Sequence, residues 1–228
     1  KMGGSQLISE RLSRSLARNL GQSPKLSTLS KDVYALDDDD RDPTNDEQQT
    51  VSRHIDLLER LYLIDSVPGW IPPSRSPKRM RSKPKRYYAD PSLPVSLLGL
   101  SVKSLMQDWQ TFGLVFENLC MRDFDVYARA LPGVGFCPVR YYRDDSGLEI
   151  DVIIERSDLS WGAIEVKLSS DLETIEAAAA SLKRMRDKLG KDKQARTPSP
   201  SFLAVVTGTG ERAYRRPDGI YAIRVLGA

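Results

Sequence analysis

Apolar residues recur at helical spacing along three stretches in the first hundred residues of the chain. The spacing predicts helices over residues 6–20, 27–34 and 47–61, with Ser27 or Thr28 as the cap of the second. Two runs typical of strands follow at residues 63–67 and 86–90, on either side of a long basic loop. Three helices and a two-stranded wing predict a winged helix-turn-helix, in which the third helix takes the recognition position.

The pattern changes after residue 100, where a long, largely apolar helix is predicted over residues 108–130. Five strands and one further helix are predicted beyond it. In chain order they are strands 138–143, 148–155 and 161–168, helix 174–189, and strands 202–207 and 219–225. This order predicts an α/β sandwich with a mixed sheet. We therefore expect two domains, residues 1–99 and 100–228, with the boundary near residues 98–107.

Composition narrows the class of protein. The 228 residues include 34 Lys and Arg and 31 Asp and Glu, so the net charge is only +3. Two cysteines and one histidine exclude a zinc ribbon and a disulfide framework, and they favour a reducing, cytoplasmic location. No apolar run of about 20 residues predicts a membrane span. The chain has no P-loop motif, so we expect this chain not to bind ATP.

Basic residues are concentrated in the predicted wing, without an acidic residue among them. They are Arg75, Lys78, Arg79, Arg81, Lys83, Lys85 and Arg86. Such a cluster binds phosphate by releasing counterions, and DNA is the expected partner. A solvated loop, or a surface that docks an acidic partner, are the alternatives. Arg53 faces outward on the predicted recognition helix, although Asp56 and Glu59 on the same helix would repel a phosphate backbone.

Two neighbouring predicted strands carry acidic residues in a suggestive pattern. Asp151 lies in one strand, and Glu165 and Lys167 share a face of the next, because side chains alternate along a strand. If the strands pair, two carboxylates and an ammonium converge on one patch. Carboxylate oxygens bind Mg²⁺ or Mn²⁺, and a nearby lysine stabilises charge on a phosphate. The alternative is two solvated strand faces and a Glu–Lys ion pair.

The chain also resembles a known family over nearly its whole length, and the matching segments occur in the family's order. These segments are Leu16-Ala-Arg-Asn19, residues 50–61, Lys85-Arg-Tyr-Tyr-Ala-Asp-Pro-Ser-Leu93, Gly113-Leu-Val-Phe-Glu-Asn118, Tyr141-Tyr-Arg143, Gly147-Leu-Glu-Ile-Asp151, Ala163-Ile-Glu-Val-Lys167 and Val206-Thr-Gly208. The family is the C-terminal region of bacterial and archaeal AAA-type ATPases that carry domain of unknown function 4143.

The resemblance implies a winged helix-turn-helix joined to a PD-(D/E)xK nuclease-like domain, normally preceded in the same polypeptide by an ATPase domain. The catalytic residues that it implies are Glu117, Asp151, Glu165 and Lys167. Asp151 and Glu165 would hold the metal, and Glu117 would support the site. Tyr142 and Arg143 would lie near it, with Arg143 also available to nucleic acid.

The leading hypothesis is a DNA-associated, metal-dependent nuclease-like module of an AAA-type ATPase. One alternative is a non-catalytic module that contacts protein partners, in which the acids and the lysine form a structural ion-pair network. Another is a DNA-binding regulator that acts through the winged helix. A nuclease would cleave DNA only when metal is present, and a DNA-binding regulator would bind DNA in chelator. A module that only contacts protein partners would do neither.

Overall fold

The computed structural model describes residues 2–37, 41–72, 83–191, 197–210 and 212–225. Within these ranges the chain forms two compact units. The first contains residues 1–66 and 84–118, and the second contains residues 67–83 and 119–228. Two separate sheets, one in each half of the chain, confirm the mixed α and β character that the hydrophobic pattern predicts.

The first half of the chain is mainly helical. Its elements are α1 (Met2–Arg18), α2 (Leu26–Tyr34), α3 (Asn45–Arg60), β1 (Ile64–Val67), β2 (Lys85–Tyr88), α4 (Ser92–Leu97), α5 (Val102–Leu105) and the long helix α6 (Trp109–Arg129). Strands β1 and β2 pair as a two-stranded sheet. The three predicted helices and the two predicted strands are therefore present.

Helix α3 begins at a capping box that the sequence analysis did not identify. The Thr44 side chain accepts a hydrogen bond from Glu47 N–H, and the Glu47 carboxylate accepts one from Thr44 N–H. The two groups thereby satisfy two N–H groups that lack partners at a helix start. The predicted cap of α2 was wrong, because α2 begins after Lys25, whose side chain makes no capping hydrogen bond.

The core of the first unit brings together apolar faces of its three N-terminal helices and its small sheet. Its buried members include Leu12, Leu29, Val51 and Ile64. Asn118, on α6, is fully buried among apolar neighbours and is bound to the backbone of β2. Its Oδ1 accepts a hydrogen bond from Tyr88 N–H at 2.8 Å, and its Nδ2 donates one to Tyr88 O at 2.7 Å.

The second unit is built on a six-stranded mixed sheet. Its strands are β3 (Val134–Arg143), β4 (Glu149–Arg156), β5 (Trp161–Lys167), β6 (Phe202–Thr207), β7 (Tyr214–Arg215) and β8 (Tyr221–Arg224), and its helix is α7 (Leu172–Lys191). The spatial order is β3-β4-β5-β6-β8-β7. The first three strands are antiparallel, and the pairs β5–β6 and β6–β8 are parallel. The predicted mixed sheet is confirmed, with the short β7 added at its edge.

Helix α7 packs on one face of this sheet and forms the main core. Leu182 and Met185 on α7 are fully buried, together with sheet residues such as Ile153 and Val205. Gly162 on β5 lies opposite Phe202 on β6, and a Cβ at this glycine would lie 2.1 Å from the Phe202 ring. This close approach requires glycine at position 162, because no real side chain tolerates that distance.

The segment between β1 and β2 differs from the predicted wing. Pro68, Gly69 and Trp70 belong to the second unit, where Gly69 pairs with Tyr141 on the edge strand β3. Trp70 is 1% exposed and its ring lies 4.9 Å from that of Trp161. The start of the expected basic loop is therefore part of the core of the second unit. None of the described helices is long and apolar enough to cross a membrane.

Replacing Asn118 with alanine should destabilise the protein by about 2–4 kcal/mol. The change leaves the N–H and the C=O of Tyr88 buried without these partners, and each unsatisfied group costs about 1–3 kcal/mol. The measurement is urea denaturation followed by circular dichroism. Gln110→Ala, at an exposed position of the same helix, is the matched control and should change stability by less than about 0.5 kcal/mol. Equal effects at the two positions would contradict this account of the Asn118 contacts.

Candidate active site

The ends of two adjacent strands bring Asp151 and Glu165 together. Strands β4 and β5 are antiparallel, and Val152 lies opposite Ile164 at the end of their ladder. One residue further along each strand are Asp151 and Glu165, which therefore lie side by side. Here the backbone N–H of Val166 donates a hydrogen bond to Asp151 Oδ2 at 2.9 Å.

Strand β4 is irregular at this position. Arg140 pairs with Ile153 and Tyr142 pairs with Ile150, so two steps along β3 correspond to three along β4. An extra residue of this kind is a β-bulge, which redirects the neighbouring side chains. Ile150 and Ile153 consequently both reach the core beneath α7. Strict alternation along β4 would place Ile150 and Val152 on the same face, and the bulge interrupts that alternation.

Lys167 joins the two carboxylates. Its Nζ lies 2.6 Å from Glu165 Oε2 and 3.2 Å from Asp151 Oδ2. Because both oxygens contact one ammonium, they are no further apart than the sum of these two distances. The expectation that two carboxylates and one ammonium form a single cluster is thus met by the geometry of these three side chains.

Burial makes this cluster electrostatically unusual. The side chains of Glu165 and Asp151 are only 5% and 12% exposed, whereas that of Lys167 is 34% exposed. Burial and the neighbouring Asp151 charge raise the pKa of Glu165 well above its ordinary value, although Lys167 opposes the shift. Burial alone would lower the pKa of Lys167, but the two carboxylates outweigh it and raise that pKa. Lys167 therefore remains charged at neutral pH, and Glu165 retains a proton more readily than an exposed glutamate does.

The residues after β5 and β6 hold the edge of the site in place. Gly208 N–H donates to Lys167 O at 3.0 Å, and Thr209 N–H donates to Leu168 O at 3.2 Å. Thr209 Oγ1 accepts a hydrogen bond from Ser170 N–H at 3.1 Å. Residues 207–210, predicted as a simple turn, thus extend the contact between two parallel strands. Gly210 has a φ of +122°, a conformation that favours glycine.

A cleft of about 650 Å³ opens beside these segments on the second unit. Ser170, Ile175, Thr207, Arg212, Tyr214 and Ala222 are among the residues that line it. Thr207 pairs with Lys167 in the parallel register of β5 and β6. The cleft and the acidic cluster therefore lie on neighbouring strands of the sheet.

Glu117 lies in the first unit, where its carboxylate has partners on β2. Its Oε1 accepts a hydrogen bond from Tyr87 Oη at 2.6 Å and lies 3.5 Å from Lys85 Nζ. These contacts give Glu117 a role in joining α6 to β2. Its supporting role at the Asp151 and Glu165 site stays a prediction.

The predicted phosphate-binding residues fall into three groups. Four of them lie outside the described residues, namely Arg75, Lys78, Arg79 and Arg81. Lys83, Arg53 and Arg143 are exposed, and Arg143 lies 3.7 Å from Glu149. Lys85 and Arg86 form the third group, because Lys85 is buried and Arg86 is half-buried, whereas an exposed cluster was expected.

The Lys85 side chain is only 5% exposed and pairs with Glu117, so its ammonium serves an internal contact in this conformation. Burial lowers the pKa of Arg86, and its Nε is buried without a hydrogen-bond partner among the described residues. The Lys85 side chain is therefore buried, whereas Arg86 is half-buried and its contact with phosphate stays a prediction.

The donor set fits magnesium better than a metal that needs a full protein cage. In the described part of the chain, no group of three or more His, Cys, Asp and Glu side chains is placed to hold a metal ion. Mg²⁺ is commonly held by one or two carboxylates, with water and substrate oxygens as its other ligands. Asp151 and Glu165 match that requirement. Lys167 Nζ now neutralises both carboxylates, so a cation that bound them would displace this ammonium.

Two family matches cover most of the chain. Residues 6–104 match domain of unknown function 8612, and residues 112–226 match domain of unknown function 4143. The second match spans half of the chain, and the chain belongs to the family of domain of unknown function 4143. That domain is typically found with AAA ATPases. The predicted match to domain of unknown function 4143 is thereby confirmed for residues 112–226.

Comparison with solved structures gives a distant likeness. The structure is a refined half-complex from a tetradecameric assembly of Thermococcus gammatolerans McrB AAA+ hexamers with bound McrC. The likeness covers 95% of this chain and 70% of that chain, with 10% identity and a TM-score of 0.31. This score is too low to establish a shared fold. No curated protein matches the chain.

Sequence reasoning missed several residues that shape the site. Tyr214 and Arg212 line the cleft but belong to a segment with no hydrophobic periodicity, and β7 has only two residues. Asn118 was also missed, although a polar side chain within a largely apolar helix was a signal that could have identified it. Trp70 left no such signal, because its partners are distant in sequence.

The raised pKa of Glu165 predicts how stability depends on pH in metal-free buffer. Between pH 4.5, its ordinary pKa, and the raised value, the folded protein binds more protons than the unfolded chain. The contribution of Glu165 to stability is therefore fully present below pH 4.5 and is lost as pH rises through this interval. Glu165→Gln should flatten the decline and stabilise the protein near neutral pH by on the order of 1 kcal/mol. Urea denaturation in chelator between pH 5 and 8 measures this dependence of stability on pH.

Glu173→Gln serves as the control for that measurement. Glu173 is exposed in the first turn of α7, so its replacement should leave the slope of stability against pH unchanged. Parallel profiles for the parent protein and Glu165→Gln would show that Glu165 titrates as an ordinary exposed carboxyl group.

Proposed function

We propose that the second half of this chain is a PD-(D/E)xK nuclease-like domain that hydrolyses phosphodiester bonds with the aid of Mg²⁺ or Mn²⁺. The observation that carries the proposal is the buried pair Asp151 and Glu165, held on one ammonium. Thr207, which pairs in register with Lys167, lines an open cleft. A buried acid with a strongly perturbed pKa, such as Glu165, is characteristic of functional sites. A purely structural ion pair needs only one of the two carboxylates.

Asp151 and Glu165 would hold the cation in this proposal. When bound, the cation would polarise a phosphate oxygen and lower the pKa of a water molecule. Asp151 is well suited to this task, because the hydrogen bond from Val166 N–H fixes its carboxylate. Glu165 would give up its proton as the cation binds, so affinity should rise with pH.

Lys167 would stabilise negative charge on the phosphate. Its raised pKa keeps it protonated at neutral pH, which suits a charge-stabilising donor and excludes a role as general base in the metal-free state. With a cation held by the carboxylates, the Lys167 ammonium would be available to a phosphate near Thr207, its neighbour in register at the cleft. Water would then attack phosphorus while the bond to the leaving oxygen breaks.

For the first half of the chain we propose a winged helix that contacts DNA. Three helices followed by the β1–β2 sheet support this interpretation, and Arg53 is exposed on α3. The family of domain of unknown function 4143 supports a further proposal, that both halves serve an AAA-type ATPase as its associated part. An ATPase domain in the same polypeptide would be the natural partner.

Metal binding should stabilise the parent protein. The expected rise in Tm follows the ratio of metal concentration to Kd, because only the folded chain brings Asp151 and Glu165 together. Asp151→Ala should abolish the rise, whereas Asp187→Ala, on the exposed face of α7, should retain it. Differential scanning fluorimetry with Mg²⁺, Mn²⁺ and chelator is the measurement. A rise of equal size in all three proteins would place metal binding elsewhere.

A DNA-cleavage assay should distinguish the role of Lys167 from that of the metal ligands. Lys167→Ala should retain stabilisation by metal but lose cleavage of labelled DNA by about 100-fold or more, as is typical when a single charge-stabilising donor is removed. Lys183→Ala, which removes a lysine paired with Asp218, is the matched control and should cleave normally. Lack of metal-dependent cleavage by the parent protein would overturn the proposed hydrolysis and favour a non-catalytic module.

A further inference from the structure

The cleft beside the acidic cluster has an arrangement that the hydrolysis itself does not require. Glu165 pairs with Val205, Val205 with Ala222, and Ala222 with Tyr214. These four residues form one row across four adjacent strands, on the face of the sheet that α7 covers in part. Since neighbouring strands are about 4.8 Å apart, Tyr214 lies about 14 Å from Glu165 along the row.

Part of this row lines the cleft. Val205 is fully buried in the core beneath α7, whereas Ala222, which is 3% exposed, is among the residues that line the cleft. Tyr214, at the outer end, is 43% exposed and also lines the cleft. An exposed aromatic side chain beside a small apolar residue is the kind of surface on which a planar group stacks.

The charge of the cleft favours an anionic ligand. Arg212 lines it and has no hydrogen-bond or ion-pair partner within the described part of the chain. Arg216, four residues later, contrasts with it, because Arg216 is bound by Glu176 at 2.8 Å and by Asp218 at 3.1 Å. Among the described residues that line the cleft, none carries a carboxylate. Its volume of about 650 Å³ is within the range of small-molecule sites.

We propose that this cleft binds an unpaired nucleotide of a single-stranded nucleic acid, with the base stacked on Tyr214 and a phosphate on Arg212. The inference rests on the proposed function, because the strand would continue past Thr207, which pairs in register with Lys167, to the Asp151 and Glu165 site. A base can stack on a side chain only when its face is free, so a duplex would be excluded from this subsite. The substrate class is therefore single-stranded DNA or RNA.

The same strands provide matched controls. Tyr221 is 40% exposed, and it pairs with Arg215, which lies 5.7 Å above its ring. Because side chains alternate along a strand, Tyr221 and Arg215 point to the opposite face from Tyr214. Replacing either of them removes an aromatic or a basic side chain without touching the cleft.

The test is fluorescence anisotropy with the whole chain in chelator, where no metal-dependent cleavage occurs. The probes are labelled 12-nucleotide oligothymidine, oligouridine and the duplex of oligothymidine with oligoadenosine. Both single strands should bind through this subsite, whereas the duplex should bind only through the proposed winged helix and serves as a control. Any preference between the two single strands identifies DNA or RNA as the natural source. Tyr214→Ala should weaken single-strand binding by about tenfold, and Tyr214→Phe should retain it.

Arg212→Gln should weaken binding severalfold and reduce the dependence on salt by about one phosphate contact. Tyr221→Ala and Arg215→Gln should bind as the parent protein does. The inference fails if Tyr214→Ala weakens duplex binding as much as single-strand binding, or if Tyr221→Ala weakens single-strand binding as much as Tyr214→Ala. Because these measurements are made without metal, they separate the subsite from hydrolysis. Binding that depends on Tyr214 without cleavage in Mg²⁺ would overturn the proposed hydrolysis alone.

Discussion

The structure of the candidate site depends on one interaction, the sharing of the Lys167 ammonium by two buried carboxylates. Removing Asp151 and Glu165 from water disfavours their charged forms, and placing them side by side adds repulsion. Lys167 offsets part of both effects, and the raised pKa of Glu165 shows that the compensation is incomplete. A fold needs no such arrangement for stability, since apolar residues of similar size would pack at least as well. A divalent cation would relieve the repulsion fully, which is why we attribute the cluster to function.

Two features of the sheet hold the carboxylates in a buried position and leave the ammonium partly exposed. The bulge in β4 directs both Ile150 and Ile153 into the core beneath α7 and leaves Asp151 at the end of the ladder. The parallel pairing of β5 and β6 then places Thr207 beside Lys167, at the cleft. The carboxylates are thus anchored by the core on one side while the ammonium remains partly exposed on the other.

Local sequence patterns predicted much of this, because the relevant features repeat over a few residues. Alternation on β5 placed Glu165 and Lys167 on one face, and the order of the strands brought Asp151 next to them. What could not be predicted depends on contacts distant in sequence. The register shift in β4, the burial of Trp70 in the second unit and the two hydrogen bonds between Asn118 and Tyr88 each require a partner that no local pattern identifies. The burial of Lys85 was not predicted for the same reason, since it involves the distant residue Glu117.

The central claim is that a cation replaces both the Glu165 proton and the Lys167 ammonium between the carboxylates. Isothermal titration of the parent protein with Mg²⁺ or Mn²⁺ at pH 6, in two buffers of different ionisation enthalpy, tests this most directly. We predict one site whose occupation releases protons, and a loss of that release in Glu165→Gln. Binding without proton release, or no binding to the parent protein at millimolar metal, would contradict the account and leave the cluster as a structural ion-pair network.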